Sequence, residues 1–247
     1  MFSTEERGMS YVIDSASYNK AARYPVGHGY TYRPALPTSV VVHSTEGVVG
    51  QSLSSAANYL YNSPDVSADF LIGKSTEIIQ FLDSHAYAAW HAGGLQANGS
   101  WTAQPAFAND RSIGIECLHA AGEAWPPAQK DTLAWLLRYL MDMYSIPTVM
   151  IETHGQIAIA GPYIRKKDPT NWSHQDFLLW RDTVLSQTRP YRAGRYGALA
   201  RQDRTPLALT SKYYQPGEVF TCGDVSQGYA WDATGIGFVA LGDVESV

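Results

Sequence analysis

The sequence is poor in cysteine, has no long apolar run and carries no excess of positive charge. Its two cysteines, Cys117 and Cys222, are far apart and too few for a disulfide framework, so secretion is not implied. No apolar run reaches about 18 residues, which argues against a membrane-spanning helix. The net charge of −5 argues against a nucleic-acid partner, because phosphates favour a basic binding face.

The N-terminus also lacks a basic segment followed by an apolar stretch, so no secretory signal is predicted. We expect a protein made in the cytoplasm, with a monomer as the default. The composition, 45% hydrophobic and 17% charged, is typical of a packed globular protein. A chain of 247 residues is long enough for one large domain, or for one domain and a small module.

A short segment that begins at His154 places an imidazole, a carboxylate and three cationic side chains close together in the sequence. A catalytic zinc ion takes three protein ligands at about 2.0–2.2 Å and keeps one position for water. His154 and Asp168 supply two such ligands, and the best candidate for the third is His43, which ends the apolar run of residues 40–42. The sequence therefore predicts one zinc ion bound by these three residues.

Other polar residues of catalytic type lie at the ends of apolar segments. Trp90 and His91 stand in the run Trp-His-Ala-Gly, and Glu116 closes the apolar run that starts at Ser112. A carboxylate in that position needs a polar partner or a groove. A catalytic Glu116 and a salt-bridged Glu116 are thus the alternatives, while His43 has the alternative of a core histidine bonded to backbone.

Hydrophobic spacing and turn residues predict a mixed sheet with helices packed on it, an α/β (α+β) domain over residues 1–188. Residues 1–39 are predicted to be an extended lead-in, because prolines and glycines discourage regular structure there. The predicted elements that follow are a strand over 40–43, a helix over 52–62, a hairpin of 69–73 and 77–82, a strand over 112–118, a helix from Pro127 that ends before Pro147, a strand over 148–152 and a helix after Ser173.

The chain changes character after residue 188. Residues 189–212 hold six Lys and Arg against one acid, whereas residues 213–247 hold five acids and no base. Short β-type runs separated by glycine occur throughout, and no helical period is visible. We therefore predict a small all-β, barrel-like module over residues 189–247, with a β-extension packed on the first domain as the alternative.

Four motifs occur in the order of a known family: Val41-Val-His-Ser-Thr, Ala89-Trp-His-Ala-Gly, Ser112-Ile-Gly-Ile-Glu and His154 followed by Lys-x-Asp-Pro. Together they resemble the zinc-dependent N-acetylmuramoyl-L-alanine amidases of the type 2 group, whose fold the peptidoglycan-recognition proteins share. The resemblance covers roughly residues 35–185. It implies one zinc ion in a groove and cleavage of the amide between N-acetylmuramic acid and L-alanine. The C-terminal module more loosely resembles the small bacterial SH3-like barrels attached to wall lytic enzymes.

The resemblance assigns a role to each candidate site residue. The metal ligands are His43, His154 and Asp168, the acid/base catalyst is Glu116, the oxyanion-stabilising cation is Lys166, and the candidate substrate-binding residues are His91, Trp90, Asp69 and Trp172. Asp69 stands where many relatives carry a histidine. The interval between His154 and Asp168 is longer than the family's usual one, so Arg165 and Lys167 are alternatives for the cation.

The resemblance implies bacterial peptidoglycan as the partner. A chain without a signal peptide that is built for polymeric wall resembles a phage or prophage endolysin, which reaches the wall after release by a partner such as a holin. The alternatives are a peptidoglycan-binding protein on the same fold that does not cut, and another zinc amidohydrolase. The presence of all three ligands together with Glu116 and a lysine favours the enzyme.

Overall fold

A computed structural model of the chain describes residues 3–6, 9–159 and 166–185, together with seven strands between residues 189 and 246. The strands of the first part are β1 (Ser3–Glu6), β2 (Met9–Asp14), β3 (Tyr30–Tyr32), β4 (Ser39–Ser44), β5 (Phe70–Ile72), β6 (Glu77–Gln80), β7 (Tyr87–Ala89), β8 (Ser112–Cys117) and β9 (Ile151–Thr153). The helices are α1 (Lys20–Arg23), α2 (Leu53–Asn62), α3 (Pro127–Tyr144), α4 (His154–Ile157) and α5 (His174–Leu185).

The first part of the chain is built on a seven-stranded mixed sheet in the order β1-β2-β6-β5-β8-β4-β9. Strands β5, β8, β4 and β9 run parallel to one another, whereas β5 and β6 form the predicted antiparallel hairpin. Strands β3 and β7 form a separate antiparallel pair. The prediction of a mixed central sheet flanked by helices is therefore confirmed.

Side-chain alternation along the central strands separates the core from the face that carries the site. Val40 and Val42 of β4 pack with the leucines of α3, whereas Val41 belongs to a cluster on the opposite face. His43 lies two residues after Val41 and so shares that opposite face. The same alternation in β8 sends Ile113 and Ile115 into the core under α3.

Helix α3 covers the core face of the sheet. Pro127 occupies its first turn, where a missing N–H costs no hydrogen bond, and the helix ends at Ser145 in the left-handed conformation with φ 56°. Its fully buried leucines are Leu133, Leu136, Leu137 and Leu140. Phe177 and Leu185 of α5 complete this layer, while α2 packs in a second cluster against the other side. The helical spacing seen in the sequence thus corresponds to buried faces.

The N-terminal part differs from the predicted extended lead-in. Strand β2 joins the main sheet by pairing in parallel with β6, and α1 and β3 follow before residue 39. Tyr11 and Ile13 are buried, and the Tyr11 ring stacks on Trp135 of α3 with centroids 5.0 Å apart. The alternation of buried Tyr11 and Ile13 with the more exposed Val12 was a period-2 signal, but it is only one strand long.

In the C-terminal part the described residues form seven strands: β10 (Arg189–Ala193), β11 (Ala198–Arg201), β12 (Thr210–Tyr214), β13 (Val219–Ser226), β14 (Tyr229–Asp232), β15 (Phe238–Ala240) and β16 (Val244–Ser246). They form one antiparallel sheet in the order β12-β11-β15-β14-β13-β10-β16. The segments that join these strands lie outside the described residues, so the SH3-like barrel stays a prediction. Within the described residues, none of the helices combines the length and the apolar character that crossing a membrane would require.

Candidate active site

Three of the predicted site residues are delivered by one edge of the parallel strands. His43 lies near the end of β4, Glu116 near the end of β8, and His154 directly follows β9. The carboxyl ends of neighbouring parallel strands meet at the same edge of a sheet, where ligands commonly bind. Asp168 approaches this edge from the segment before α5, and its backbone C=O accepts a hydrogen bond from the Gly155 N–H at 2.8 Å.

His43, His154 and Asp168 converge, and all three are buried. The Nδ1 atoms of His43 and His154 lie 3.2 Å and 3.1 Å from the same oxygen, Oδ2 of Asp168. One ligand atom from each residue lies within 4.8 Å of the other two. A tetrahedral zinc ion with bonds of about 2.0–2.1 Å places neighbouring ligand atoms about 3.3 Å apart. The donor set and the two contacts to Asp168 therefore fit a zinc site.

The electrostatics of the three residues suit metal binding. Burial, together with the neighbouring His154, lowers the pKa of His43 to about 4, so its imidazole is neutral at pH 7. Burial alone would raise the pKa of Asp168, but the contacts with His154 and His43 outweigh it and hold that pKa below its ordinary value. A neutral imidazole and an ionised carboxylate are the forms that bind a metal ion.

Glu116 is a half-buried residue, and one oxygen of its carboxylate is buried and unpartnered. Its Oε2 atom has no hydrogen-bond partner within the described part of the chain, and the residue lines the same cleft as the three converging residues. Burial raises its pKa to about 8, with the negative charges of Asp168 and Glu46 adding to the effect and Lys166 opposing it. The placement does not match the salt-bridge alternative, because no described cation pairs with this carboxylate.

Lys166 is exposed and lines the cleft beside Glu116, His154 and Asp168. Lys167 is also exposed but is not part of the cleft lining. Arg165 lies outside the described residues. Of the two lysines, Lys166 is therefore the one placed to face a substrate.

The cleft has a volume of about 430 Å³ and continues into a second cleft of about 510 Å³. Trp90, His91, His154 and Lys166 line both, so the groove extends to two sides of the converging residues. Trp90 and His91 therefore lie where a substrate would pass.

Asp69 and Trp172 do not line either cleft, in contrast to the substrate-binding prediction. Asp69 is fully buried and accepts hydrogen bonds from Ser84 Oγ and from the Gly114 N–H, both at 2.9 Å. Trp172 packs in the core against Trp125, with ring centroids 4.9 Å apart. Their positions give Asp69 a role in holding β8 and Trp172 a role in packing.

The groove also contains residues that the sequence did not single out. Glu46 has a left-handed backbone with φ 48°, and its carboxylate accepts hydrogen bonds from Thr170 Oγ1 at 2.8 and 2.9 Å. Its position three residues after His43 was a usable signal. Tyr59 of α2 lines the cleft although it is exposed. Its position in a helical pattern resembles that of any surface residue, so no signal marked it.

Residues 32–171, more than half of the chain, match the family described as N-acetylmuramoyl-L-alanine amidase. A curated relative, the 1,6-anhydro-N-acetylmuramyl-L-alanine amidase AmpD of Escherichia coli strain K12, is 34% identical over 122 residues, which are 48% of this chain and 61% of the relative. The match thus spans less than two thirds of that relative's length.

Solved structures with a similar fold include the Staphylococcus aureus hydrolase AmiA in complex with its ligand. It is 18% identical with a TM-score of 0.50, and the match covers 70% of this chain and 82% of that one. A mutant endolysin from Bacillus subtilis is 25% identical with a TM-score of 0.44, covering 60% and 86% respectively. On the family match across more than half of its length, the chain belongs to the N-acetylmuramoyl-L-alanine amidase family, Amidase_2.

Proposed function

We propose that the chain is a zinc-dependent amidase that hydrolyses the amide between N-acetylmuramic acid and L-alanine in bacterial peptidoglycan. Family membership supports the reaction. The observation that carries the proposal is the pairing of two features in one cleft: three converging metal-type ligands and the unpartnered carboxylate oxygen of Glu116. A module that only binds wall fragments gains nothing from a buried, unpaired carboxylate, which is costly to maintain.

His43, His154 and Asp168 would hold one zinc ion. When bound in such a site, zinc lowers the pKa of water toward about 7 and polarises a carbonyl group. Burial maintains the neutral form of His43, and the contacts with His154 and His43 maintain the ionised form of Asp168. All three residues line the cleft.

Glu116 would act as the general base and then as the general acid. Its carboxylate takes a proton from the attacking water and returns it to the departing nitrogen of L-alanine. In the metal-free protein burial raises the pKa of Glu116 to about 8, and a carboxyl group with a pKa near the working pH both accepts and donates protons. Such catalysis typically contributes about 10²–10⁴-fold to the rate.

Lys166 would stabilise the negative charge that develops on the substrate's carbonyl oxygen. Lys166 lines the cleft and acts electrostatically on Glu116, and both observations support this role. A preorganised donor of this kind is worth about 3–4 kcal/mol of the barrier.

The two limbs of the groove suit a substrate with two parts joined at the cleaved bond. The limb lined by Gln96 and Asn109 and the limb lined by Tyr59 and Leu60 meet at His154 and Lys166. A glycan strand on one side and a stem peptide on the other would place the amide at the junction. Trp90 would contact the substrate because it lines both limbs.

The decisive experiment is incubation of the purified protein with peptidoglycan, with and without a chelator, followed by mass analysis. The expected products carry free lactyl carboxyl groups on muramic acid and new L-alanine amino termini. A chelator should abolish their formation, and added zinc should restore it. Binding without these products would support the alternative of a non-catalytic recognition protein, and cleavage of another amide would support a different zinc amidohydrolase.

The form of the substrate separates two versions of the proposal. Similarity to AmpD favours a 1,6-anhydro-N-acetylmuramyl-L-alanine substrate, which is the one in that relative's name. A catalytic domain over residues 1–188 followed by a wall-binding module over residues 189–247 favours the polymer, because a second binding module raises the local concentration on the wall. We favour the polymer, with a lytic role after release to the wall. A comparison of kcat/KM on the two substrates decides between them.

The wall-binding role of residues 189–247 has its own test on the full chain. Inactive Glu116→Gln protein is sedimented with insoluble wall in the presence of excess soluble muramoyl peptide, which occupies the cleft. Retention on the wall would support a second binding surface. Complete release would leave the cleft as the source of binding.

A further inference from the structure

His91 links a proposed metal ligand to the interior of the protein. His43 Nε2 lies 3.0 Å from His91 Nδ1, and His91 Nε2 lies 3.1 Å from Ser112 Oγ. The Ser112 hydroxyl is in turn 2.9 Å from the backbone carbonyls of Phe107 and Ala108. His43, His91, Ser112 and the backbone carbonyls are thus connected by one continuous series of hydrogen bonds, which leads from the proposed metal site to the backbone.

We propose that His91 and Ser112 fix the tautomer of His43, so that His43 Nε2 carries the proton and Nδ1 is free to bind the metal ion. This proposal rests on the zinc site of the proposed function. It makes His91 a positioning residue and gives its ring nitrogens a task other than contact with substrate.

The number of protons available on each group determines which atom donates and which accepts in this series of hydrogen bonds. A hydroxyl has one proton, and two carbonyl oxygens, which can only accept, lie within reach of Ser112. Ser112 therefore donates to the backbone and accepts from His91 Nε2. A neutral imidazole has one N–H, so His91 Nδ1 must accept from His43 Nε2. His43 Nδ1 is then left with its lone pair directed at the metal site.

An imidazole is ordinarily neutral at pH 7, and in that form His91 has a single N–H, which the Ser112 hydroxyl accepts. This series of hydrogen bonds leaves His43 Nδ1 unprotonated. The same atom lies 3.2 Å from Asp168 Oδ2. The tautomer set from the protein interior and the geometry of the three ligands therefore agree.

The surroundings of His91 hold its ring in place. A Cβ atom on Gly114 would lie 2.4 Å from His91 Cγ, so the ring occupies the space that only glycine leaves at this position. The backbone beside the ring is held by Asn109, whose Oδ1 accepts from the N–H groups of His91, Ala92 and Gly93 at 3.1, 2.8 and 3.0 Å. Partners that orient a ligating histidine typically contribute 10–100-fold to metal affinity.

The test measures zinc affinity by competition with a chromophoric chelator. His91→Phe and Ser112→Ala should each weaken zinc binding by roughly 10–100-fold. His91→Gln should restore most of the affinity, because one amide oxygen accepts and one amide N–H donates. Ser39→Ala is the matched control, since Ser39 is a fully buried serine that donates to the Ala106 carbonyl and does not contact His91. It should leave zinc affinity unchanged.

A second measurement does not depend on how the variants fold. In zinc-loaded wild-type protein labelled with ¹⁵N, His43 should show a protonated Nε2 and a metal-bound Nδ1. Metal on His43 Nε2, or folded His91→Phe protein with wild-type zinc affinity, would overturn the proposal. Wild-type protein with the expected ¹⁵N pattern but no cleavage of peptidoglycan would instead contradict the proposed reaction, so the two failures are distinguishable.

Discussion

His43 and Glu116 are paired in register on the neighbouring parallel strands β4 and β8. Residues paired in this way project from the same face of a sheet, so a proposed metal ligand and the unpartnered carboxylate lie side by side. The pairing explains how two positions 73 residues apart in the sequence act on one small volume. It also makes their roles separable, because Glu116 contributes no atom to the group of three converging ligands.

Glu116→Gln should remove turnover while leaving zinc binding intact. The amide has nearly the shape of the carboxylate but cannot accept the proton of water, so we expect kcat to fall at least about 10²-fold. Bound zinc is measured by atomic absorption on the same preparation. Loss of zinc together with activity would mean that Glu116 is a structural part of the metal site.

Glu116→Gln should also stabilise the metal-free protein, in a pH-dependent way. The folded-state pKa of Glu116 is raised from 4.5 to about 8, so the stability contributed by its protonated form is complete below about pH 4.5 and is lost as the pH rises toward 8. The gain in Tm of the variant over wild type should therefore grow across this window and then level off. It should correspond to a few kcal/mol at most, because one pKa unit equals about 1.4 kcal/mol.

Calorimetry of chelator-treated protein at several pH values checks this expectation. Lys74→Met, which removes a partly exposed ion pair with Glu123, serves as a control for surface charge. A constant difference in Tm between pH 4.5 and 8 would show that Glu116 does not titrate as its burial implies.

The edge of the sheet that carries the site was predictable because its signals are local. An apolar run followed directly by a histidine or a carboxylate marks the end of a buried strand, as at His43 and Glu116. Neighbouring parallel strands then bring those ends together without further information. The helical face of α3 was predictable for the same reason, since its leucines repeat at helical spacing within one segment.

The burial of other residues was not predictable, because it depends on contacts between residues that are distant in the sequence. Asp69 was a candidate because of its motif position and Trp172 because it follows Asp168 closely, but their burial is decided by partners elsewhere, such as Ser84 and Trp125. The burial of Lys20 was equally invisible, because an isolated lysine is almost always exposed. Prolines and glycines in residues 1–39 indicated irregular structure, and this outweighed the short alternating signal of β2.

The identity of the catalytic cation is testable with adjacent lysines. Lys166→Ala should lower kcat by about 10²–10³-fold, because its ammonium group faces the cleft. Lys167→Ala is the matched control, being an exposed lysine at the next position that does not line the cleft, and should change kcat less than threefold or so. The measurement is steady-state hydrolysis of a soluble muramoyl peptide. A reversed order of the two effects would assign the role to Lys167.

Lys20 should prove to be a structural support of the cleft wall. It is fully buried, and its Nζ donates to the carbonyls of Leu60, Ser63 and Val66 at 2.8, 2.8 and 3.2 Å. These carbonyls lie at the C-terminal end of α2 and just beyond it, where backbone acceptors have no helical partner and a cation is favourable. Leu60 and Val66 line the cleft. Lys20 itself precedes the residues matched by the family.

Lys20→Met keeps the aliphatic stem but leaves these carbonyls without their donor. The free energy of unfolding should therefore fall by roughly 3 kcal/mol. The same variant should raise KM more than it lowers kcat, because Glu116 and the three proposed ligands stay in place while the wall moves. Lys74→Met should cost about 0–1 kcal/mol, since the Lys74 side chain is 38% exposed. Urea unfolding of zinc-loaded protein measures the free energy of unfolding of both variants. Equal unfolding midpoints for the two variants would show that the buried ammonium does not hold the wall, and the N-terminal segment would then have no part in shaping the substrate site.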